Sequence, residues 1–145
     1  MPLKIEIQAQ AIIIKDGEHT YPHECCGFLY GHEDGDKRVI TQAIEVNNTK
    51  EENRERRFEI SSFDYMKAET YADEQGIILL GVYHSHPDHP AIPSEHDLKQ
   101  ALPYFSYIIA SIKKGYLDKL TSWRLDEAGQ FVQEEIIELD VINKN

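Results

Sequence analysis

The most legible chemistry in this chain lies in two histidines two residues apart, followed by a serine and an aspartate: His84-Ser85-His86-Pro87, six residues, then Ser94-Glu95-His96-Asp97. The histidines close an almost continuously apolar run, residues 77–83, which reads as a central strand buried on both faces. Side chains alternate along a strand, so both imidazoles leave the same face, about 7 Å apart at the backbone. Pro87 ends that strand, and the three prolines within residues 87–93 make the next stretch a loop. Ser94 opens a short helix that Pro103 ends, and Asp97 in its first turn can be aimed back at the histidine pair. Two histidines and a carboxylate are the ligand set of many catalytic zinc sites, with a fourth position left for water. Zinc so held lowers the pKa of that water to about 7. Plainer readings stand beside this one. Ser94 and Asp97 also have capping-box spacing, which is compatible with a metal role. His84 and His86 could be hydrogen-bonded strand-end histidines. A hydrolytic centre needs a proton carrier, and Glu24, at the head of an apolar run, is the best candidate, although by itself it reads as a surface acid at a strand start. Glu33, Asp34 and Asp36 fall in a turn.

The elements that must position these groups follow from periodicity. Residues 3–7 alternate as a half-buried strand. A helix over 8–15 runs on toward Tyr21 and is stopped by Pro22. Residues 25–30 and 38–46 form a hairpin across a charged turn at 32–37 that holds Gly35. Residues 47–57 read as an exposed loop with the basic cluster Arg54, Arg56 and Arg57, a solvated segment or a docking surface for an acidic carrier protein. A short strand over 58–60 precedes a helix that Ser61 and Asp64 cap, with Phe63, Met66 and Ala72 inward and a stop near Gly76. Residues 104–112, 121–126 and 130–139 read as strands, with Trp123 in the core. The expected architecture is α/β or α+β, a sheet flanked by helices, with one domain over 1–140 and a frayed tail over 141–145.

Composition narrows the function classes. The 145 residues are one domain's worth, and 41% hydrophobic content excludes wholesale disorder. The formal charge of −11 argues against a broad nucleic-acid or anionic-membrane face. No apolar run approaches the roughly 20 residues of a membrane span, and the N-terminus lacks the apolar core of a signal peptide. Cys25 and Cys26 are the only cysteines. Neighbours on a strand point to opposite faces, so they neither pair nor share an ion, and a reducing cytoplasm is the expected setting. Cys26 reads as a small buried hydrophobe. His89 is expected to be exposed on the loop and His96 on the outer face of its helix, with His19, His23 and His32 at the surface.

With Pro22-His23-Glu24-Cys25-Cys26-Gly27-Phe28-Leu29-Tyr30-Gly31 ahead of the His84–Asp97 block, the chain resembles the JAMM (MPN-plus) metalloprotease family. That family's pattern is a glutamate, then His-Ser/Thr-His-Pro, six residues, and Ser-x-x-Asp, and every position is filled. The resemblance implies a cytidine-deaminase-like α/β fold, a curved mixed sheet flanked by helices. It implies one zinc held by His84, His86 and Asp97, Glu24 as general acid/base, and Ser94 stabilising the oxyanion. The implied reaction is hydrolysis of a peptide or isopeptide bond after the C-terminal glycines of a ubiquitin-like protein. The short segments near 47–57 and 113–119 resemble the compact, stand-alone prokaryotic members, whose implied substrates are sulfur-carrier proteins of ubiquitin-like fold. The competing reading is a non-catalytic MPN-type scaffold or binding module, whose members lack some of these ligands. A related DNA-repair-associated family usually carries an extra helical domain. A zinc deaminase would need His-x-Glu with a later Pro-Cys-x-x-Cys, which this chain does not have. The oligomeric state stays open.

Overall fold

The computed structural model describes residues 2–46 and 58–140. The expected loop with Arg54, Arg56 and Arg57, and the expected tail over 141–145, lie outside the described residues. In chain order the elements are β1 (Leu3–Glu6), α1 (Ile7–Thr20), β2 (Cys26–Asp34), β3 (Lys37–Val46), α2 (Ser62–Gln75), β4 (Ile78–Pro87), α3 (Glu95–Gln100), β5 (Ser106–Lys113), β6 (Tyr116–Leu125), β7 (Phe131–Glu134) and β8 (Ile136–Leu139). The strands form one mixed sheet in the order β7-β6-β5-β4-β2-β3-β1-β8. β4 runs parallel to β5, and β1 runs parallel to both β3 and β8; the remaining neighbours are antiparallel. The two end strands, β7 and β8, are consecutive in sequence with Glu135 alone between them. The sheet therefore curls until its edges nearly meet. A single strand over 130–139 was expected; Glu135 divides it because its two halves pair with opposite edges.

Both faces of the sheet are covered. One face packs Leu3, Ile5, Leu29, Ile40, Leu80, Tyr83 and Ile108 against Ala9 and Ile13 of α1. The other packs Phe28, Tyr30, Val82, Phe105 and Tyr107 against Ala68 and Ala72 of α2. In α1 the buried positions Ala9, Ile13 and Gly17 recur every four residues, one stripe of an amphipathic helix. The β2–β3 hairpin is longer than its charged sequence suggested. Asp34 pairs with Lys37, so only Gly35 and Asp36 turn the chain. The positive φ of Gly35, 67°, suits the first position of such a tight hairpin turn.

Ser61 and Asp64 form the expected capping box, and Gly76 ends α2 in the left-handed conformation at φ 69°. The inward face of α2 is a correction. Phe63 and Met66 are 60% and 58% exposed, while Ala72, as expected, is buried together with Ala68 against the sheet. The helix docks through small side chains flanked by the half-buried Tyr65 and Tyr71, so side-chain size misled the reading of its orientation. Residues 58–60 are a second correction. Phe58 and Ile60 are buried and Glu59 is exposed, the alternation of a strand, but the segment pairs with no ladder. Trp123 is half-buried rather than in the core. No described helix is long and apolar enough to cross a membrane.

The strand that carries the histidines is held at close quarters. A Cβ on Gly81 would run into the Ser106 backbone of the neighbouring β5. Gly81→Ala is therefore expected to lower unfolding free energy by about 2–3 kcal/mol, read as a reduced urea midpoint.

Candidate metal centre

His84 and His86 sit at the end of β4 on the face shared with Val82, as strand alternation requires. Pro87 closes the strand, the chain turns, and Ser94 caps α3. Ser94 Oγ accepts from the Asp97 amide at 3.1 Å, and the Ser94 amide donates to Asp97 Oδ2 at 2.8 Å. The capping box thus fixes the carboxylate that reaches back to the strand. His84 Nε2 lies 3.2 Å from Asp97 Oδ1, His86 Nε2 lies 3.1 Å from Asp97 Oδ2, and the two Nε2 atoms are 3.2 Å apart. All three side chains are buried.

These separations test the fit of a cation directly. A tetrahedral zinc with bonds of about 2.0–2.1 Å sets its donor atoms about 3.3–3.4 Å apart. The observed spacing is close to that edge, and the donor set is chemically right for a borderline divalent ion. Among the described residues, no other grouping of His, Cys, Asp and Glu brings three donor atoms so near. The imidazoles are also oriented. A carbonyl can only accept, so the 2.8 Å contact from His86 Nδ1 to Pro90 O places a proton on Nδ1 and makes Nε2, which faces the cluster, the nitrogen available to a cation. His84 is stacked under Phe58, ring centroids 4.3 Å apart and 22° from parallel. Its Nδ1 is buried without a hydrogen-bond partner, while Nε2 points into the cluster.

The electrostatics suit ligation. Burial holds His84 below the ordinary histidine value against the opposing pull of Asp97. For Asp97, burial pushes the carboxyl up. Electrostatic attraction to His84, hydrogen bonding with both histidines and the Ser94 amide outweigh that push and hold it well below the carboxylate range. For His86, burial lowers the pKa, but the Asp97 hydrogen bond, the Pro90 carbonyl and the Asp97 charge outweigh it and raise the net value. The lowered His84 and the ionised Asp97 favour ligation, whereas the raised pKa of His86 sets proton release against it. Cation affinity is therefore expected to decline as pH falls, beginning above the ordinary value of 6.5. It should be down about tenfold or more at pH 5 relative to pH 8 by competition titration.

Glu24 arrives by sheet pairing. Cys25 N–H donates to Ser85 Oγ at 2.9 Å, and Ser85 N–H donates to Cys25 O at 3.1 Å, which zips the start of β2 to the end of β4. Cys25 belongs to the α1-side core and Cys26 to the α2-side core, opposite faces as expected. Glu24, directly before this zipped segment, is buried. Glu24, His86, His89, Pro90, Ile92 and Ser94 line one cleft of about 290 Å³. His89 is exposed at its rim, as expected. His96 is a correction: it is half-buried, with Nε2 3.2 Å from Phe58 O, because α3 lies against residues 58–60. His23 is half-buried rather than at the surface, while His19 and His32 are exposed. Phe58 and Ser85 escaped the sequence reading as parts of the site; the signal available was the buried alternation of 58–60 and the serine framed by two histidines.

A model of the prokaryotic homologs of the JAB domain matches residues 7–126, a span that holds Glu24, His84, His86, Ser94 and Asp97. The chain belongs to this family. Similar to this JAB-domain chain is a desampylase of Haloferax volcanii, 34% identical over 91 residues, 62% of the chain and 63% of that protein. A desampylase of Pyrococcus furiosus is 28% identical over 115 residues, 79% and 75% of the two. A probable TtuB-protein conjugate cleaving protease of Thermus thermophilus is 43% identical over 44 residues, 30% of each. The JAB-domain chain thus spans less than two thirds of the Haloferax and Thermus proteins. Among solved structures, a protein of Desulfitobacterium hafniense superposes with a TM-score of 0.83 at 27% identity, over 95% of this chain and 93% of that one. A JAB1/MPN domain protein of Archaeoglobus fulgidus, 20% identical with a TM-score of 0.59 over 93% and 99% of the chains, shares the fold.

Proposed function

We propose that this JAB-domain protein is a zinc-dependent peptidase that hydrolyses the peptide or isopeptide bond after the C-terminal glycines of a ubiquitin-like or sulfur-carrier protein. The observation that carries the reading is the convergence of His84, His86 and Asp97 to a tetrahedral spacing beside a cleft lined by Glu24 and Ser94. The names of the relatives, desampylase and TtuB-protein conjugate cleaving protease, support cleavage of a ubiquitin-like protein conjugate. A zinc ion held by the three side chains would supply Lewis acidity, lowering the pKa of an attacking water to about 7 and polarising the scissile carbonyl.

The chain's own groups do the rest. Glu24 takes the proton of the attacking water and delivers it to the leaving amine nitrogen, so one carboxylate serves as base and then as acid. Ser94 Oγ accepts from the Asp97 amide, which leaves its own O–H proton to be donated to the carbonyl oxygen as negative charge develops there. His84, His86 and Asp97 form the metal site. Glycines ahead of the bond suit a confined cleft, because they bring no side chain to clash with its walls. A non-catalytic scaffold reading is disfavoured by the completeness of the donor cluster and its cleft. The deciding experiment incubates the protein with candidate ubiquitin-like proteins bearing a C-terminal extension and reads the products by mass spectrometry. Release of the extension at the terminal glycine, abolished by a chelator and restored by zinc, is expected. Cleavage that is indifferent to the chelator would overturn the reading.

A further inference from the structure

We propose that Ser111 and Thr121, two buried hydroxyls outside the sequence motif, are positioning residues that set the metal centre by clamping the loop between β4 and α3, an assignment that rests on the metal-dependent reading above. Three consecutive carbonyls of that loop are each held by a side chain from a different strand. Ser111 of β5 donates to His89 O at 2.6 Å, His86 of β4 donates through Nδ1 to Pro90 O at 2.8 Å, and Thr121 of β6 donates to Ala91 O at 2.7 Å. Trp123 Nε1 donates to Thr121 Oγ1 at 2.8 Å, which leaves the threonine's proton for the loop. Ser111 and Thr121 are only 3% and 5% exposed, so water does not compete for these bonds. The near end of the loop is tied as well. The Asp88 amide donates to Ile112 O at 2.7 Å, and its carboxylate accepts from Tyr21 Oη at 2.6 Å and the Lys114 amide at 2.8 Å.

The consequence falls on His86. The group that sets its tautomer and ring angle is a backbone carbonyl, and backbone is only as firm as its neighbours. Ser111 and Thr121 anchor the residues immediately before and after Pro90. Releasing either one lets the Pro90 carbonyl drift, and with it the Nε2 direction of His86 and the approach of Ser94 and Asp97 downstream. Neither hydroxyl is a donor atom of the cluster, so both act through the loop. Partners beyond the ligands typically change metal affinity by about 10–100-fold.

The test compares wild type with Ser111→Ala, Thr121→Val and the conservative Thr121→Ser. Ser122→Ala is the control, since Ser122 is also a buried β6 hydroxyl but faces the other way and donates to Glu134 at 2.8 Å. Each full chain is measured for zinc affinity by chelator competition, for the visible spectrum of its cobalt-loaded form, and for the melting temperature of the metal-free form. Ser111→Ala and Thr121→Val should each bind zinc about tenfold or more weakly and shift the cobalt bands. Thr121→Ser should restore wild-type affinity, and Ser122→Ala should melt lower yet bind like wild type. The proposal is overturned if Ser111→Ala and Thr121→Val bind like wild type, or if Ser122→Ala weakens zinc as much as they do. Should Thr121→Val fail to fold, Ser111→Ala decides. A wild-type protein that binds no zinc would sink the metal reading itself, so the two failures are distinguishable.

Discussion

Asp97→Ala protein is expected to purify with less than about a tenth of the wild-type metal and to lose at least about 10³-fold in turnover, since Lewis-acid activation is worth several kcal/mol and each 1.4 kcal/mol is tenfold. Asp97 holds two positions at once. Its carboxylate faces both Nε2 atoms at 3.1–3.2 Å, and it closes the capping box with the Ser94 amide at 2.8 Å. Truncation to alanine removes the ligand and the cap together, so it should also lower stability by about 1 kcal/mol. Asp97→Asn separates the two roles. Its amide oxygen can still accept from Ser94 N–H, so most of the capping stability is retained, but the negative charge is gone. Metal analysis beside a chemical melt distinguishes them: Asn should track wild type in the melt of the metal-free protein and Ala in metal content. An Asp97→Ala protein that retains stoichiometric metal would remove this residue from the ligand set.

The second large effect is on proton transfer. Glu24→Gln should keep the metal and the melting temperature while turnover drops by about 10²–10⁴-fold, the usual contribution of a positioned acid–base group. Glutamine has the shape of glutamate but cannot take a proton from water. The backbone that positions residue 24 is held by the reciprocal Cys25–Ser85 bonds at 2.9 and 3.1 Å, which the substitution does not touch. Loss of metal together with activity would instead make Glu24 part of the metal site. Full activity would exclude it from the reaction.

Local stereochemistry made much of this molecule legible. The shared direction of His84 and His86 follows from two-residue alternation, and both capping boxes follow from three-residue spacing. The opposite faces of Cys25 and Cys26 rest on the same alternation. Burial alternation is less trustworthy, as residues 58–60 demonstrate. Phe58 and Ile60 pack inward without any ladder, because hydrophobic burial needs a neighbouring surface and not a strand partner. α2 shows the related failure. Its sequence contains large apolar residues on one side and alanines on another, and only the close approach to the sheet selects the alanines.

By itself, then, the order of residues singled out His84, His86, Asp97, Glu24 and Ser94, put two imidazoles on one face of a strand, and set Asp97 in the first turn of a helix. Tertiary structure alone decided that Asp97 lies 3.1–3.2 Å from both imidazoles, that Glu24 lines a cleft with His86 and Ser94, and that residues 131–134 and 136–139 part to opposite edges of the sheet. The division has one physical cause. Alternation and capping act between residues two or three apart, through fixed covalent geometry. Register and edge choice depend on which distant surfaces are buried together, and no short window of sequence contains both partners.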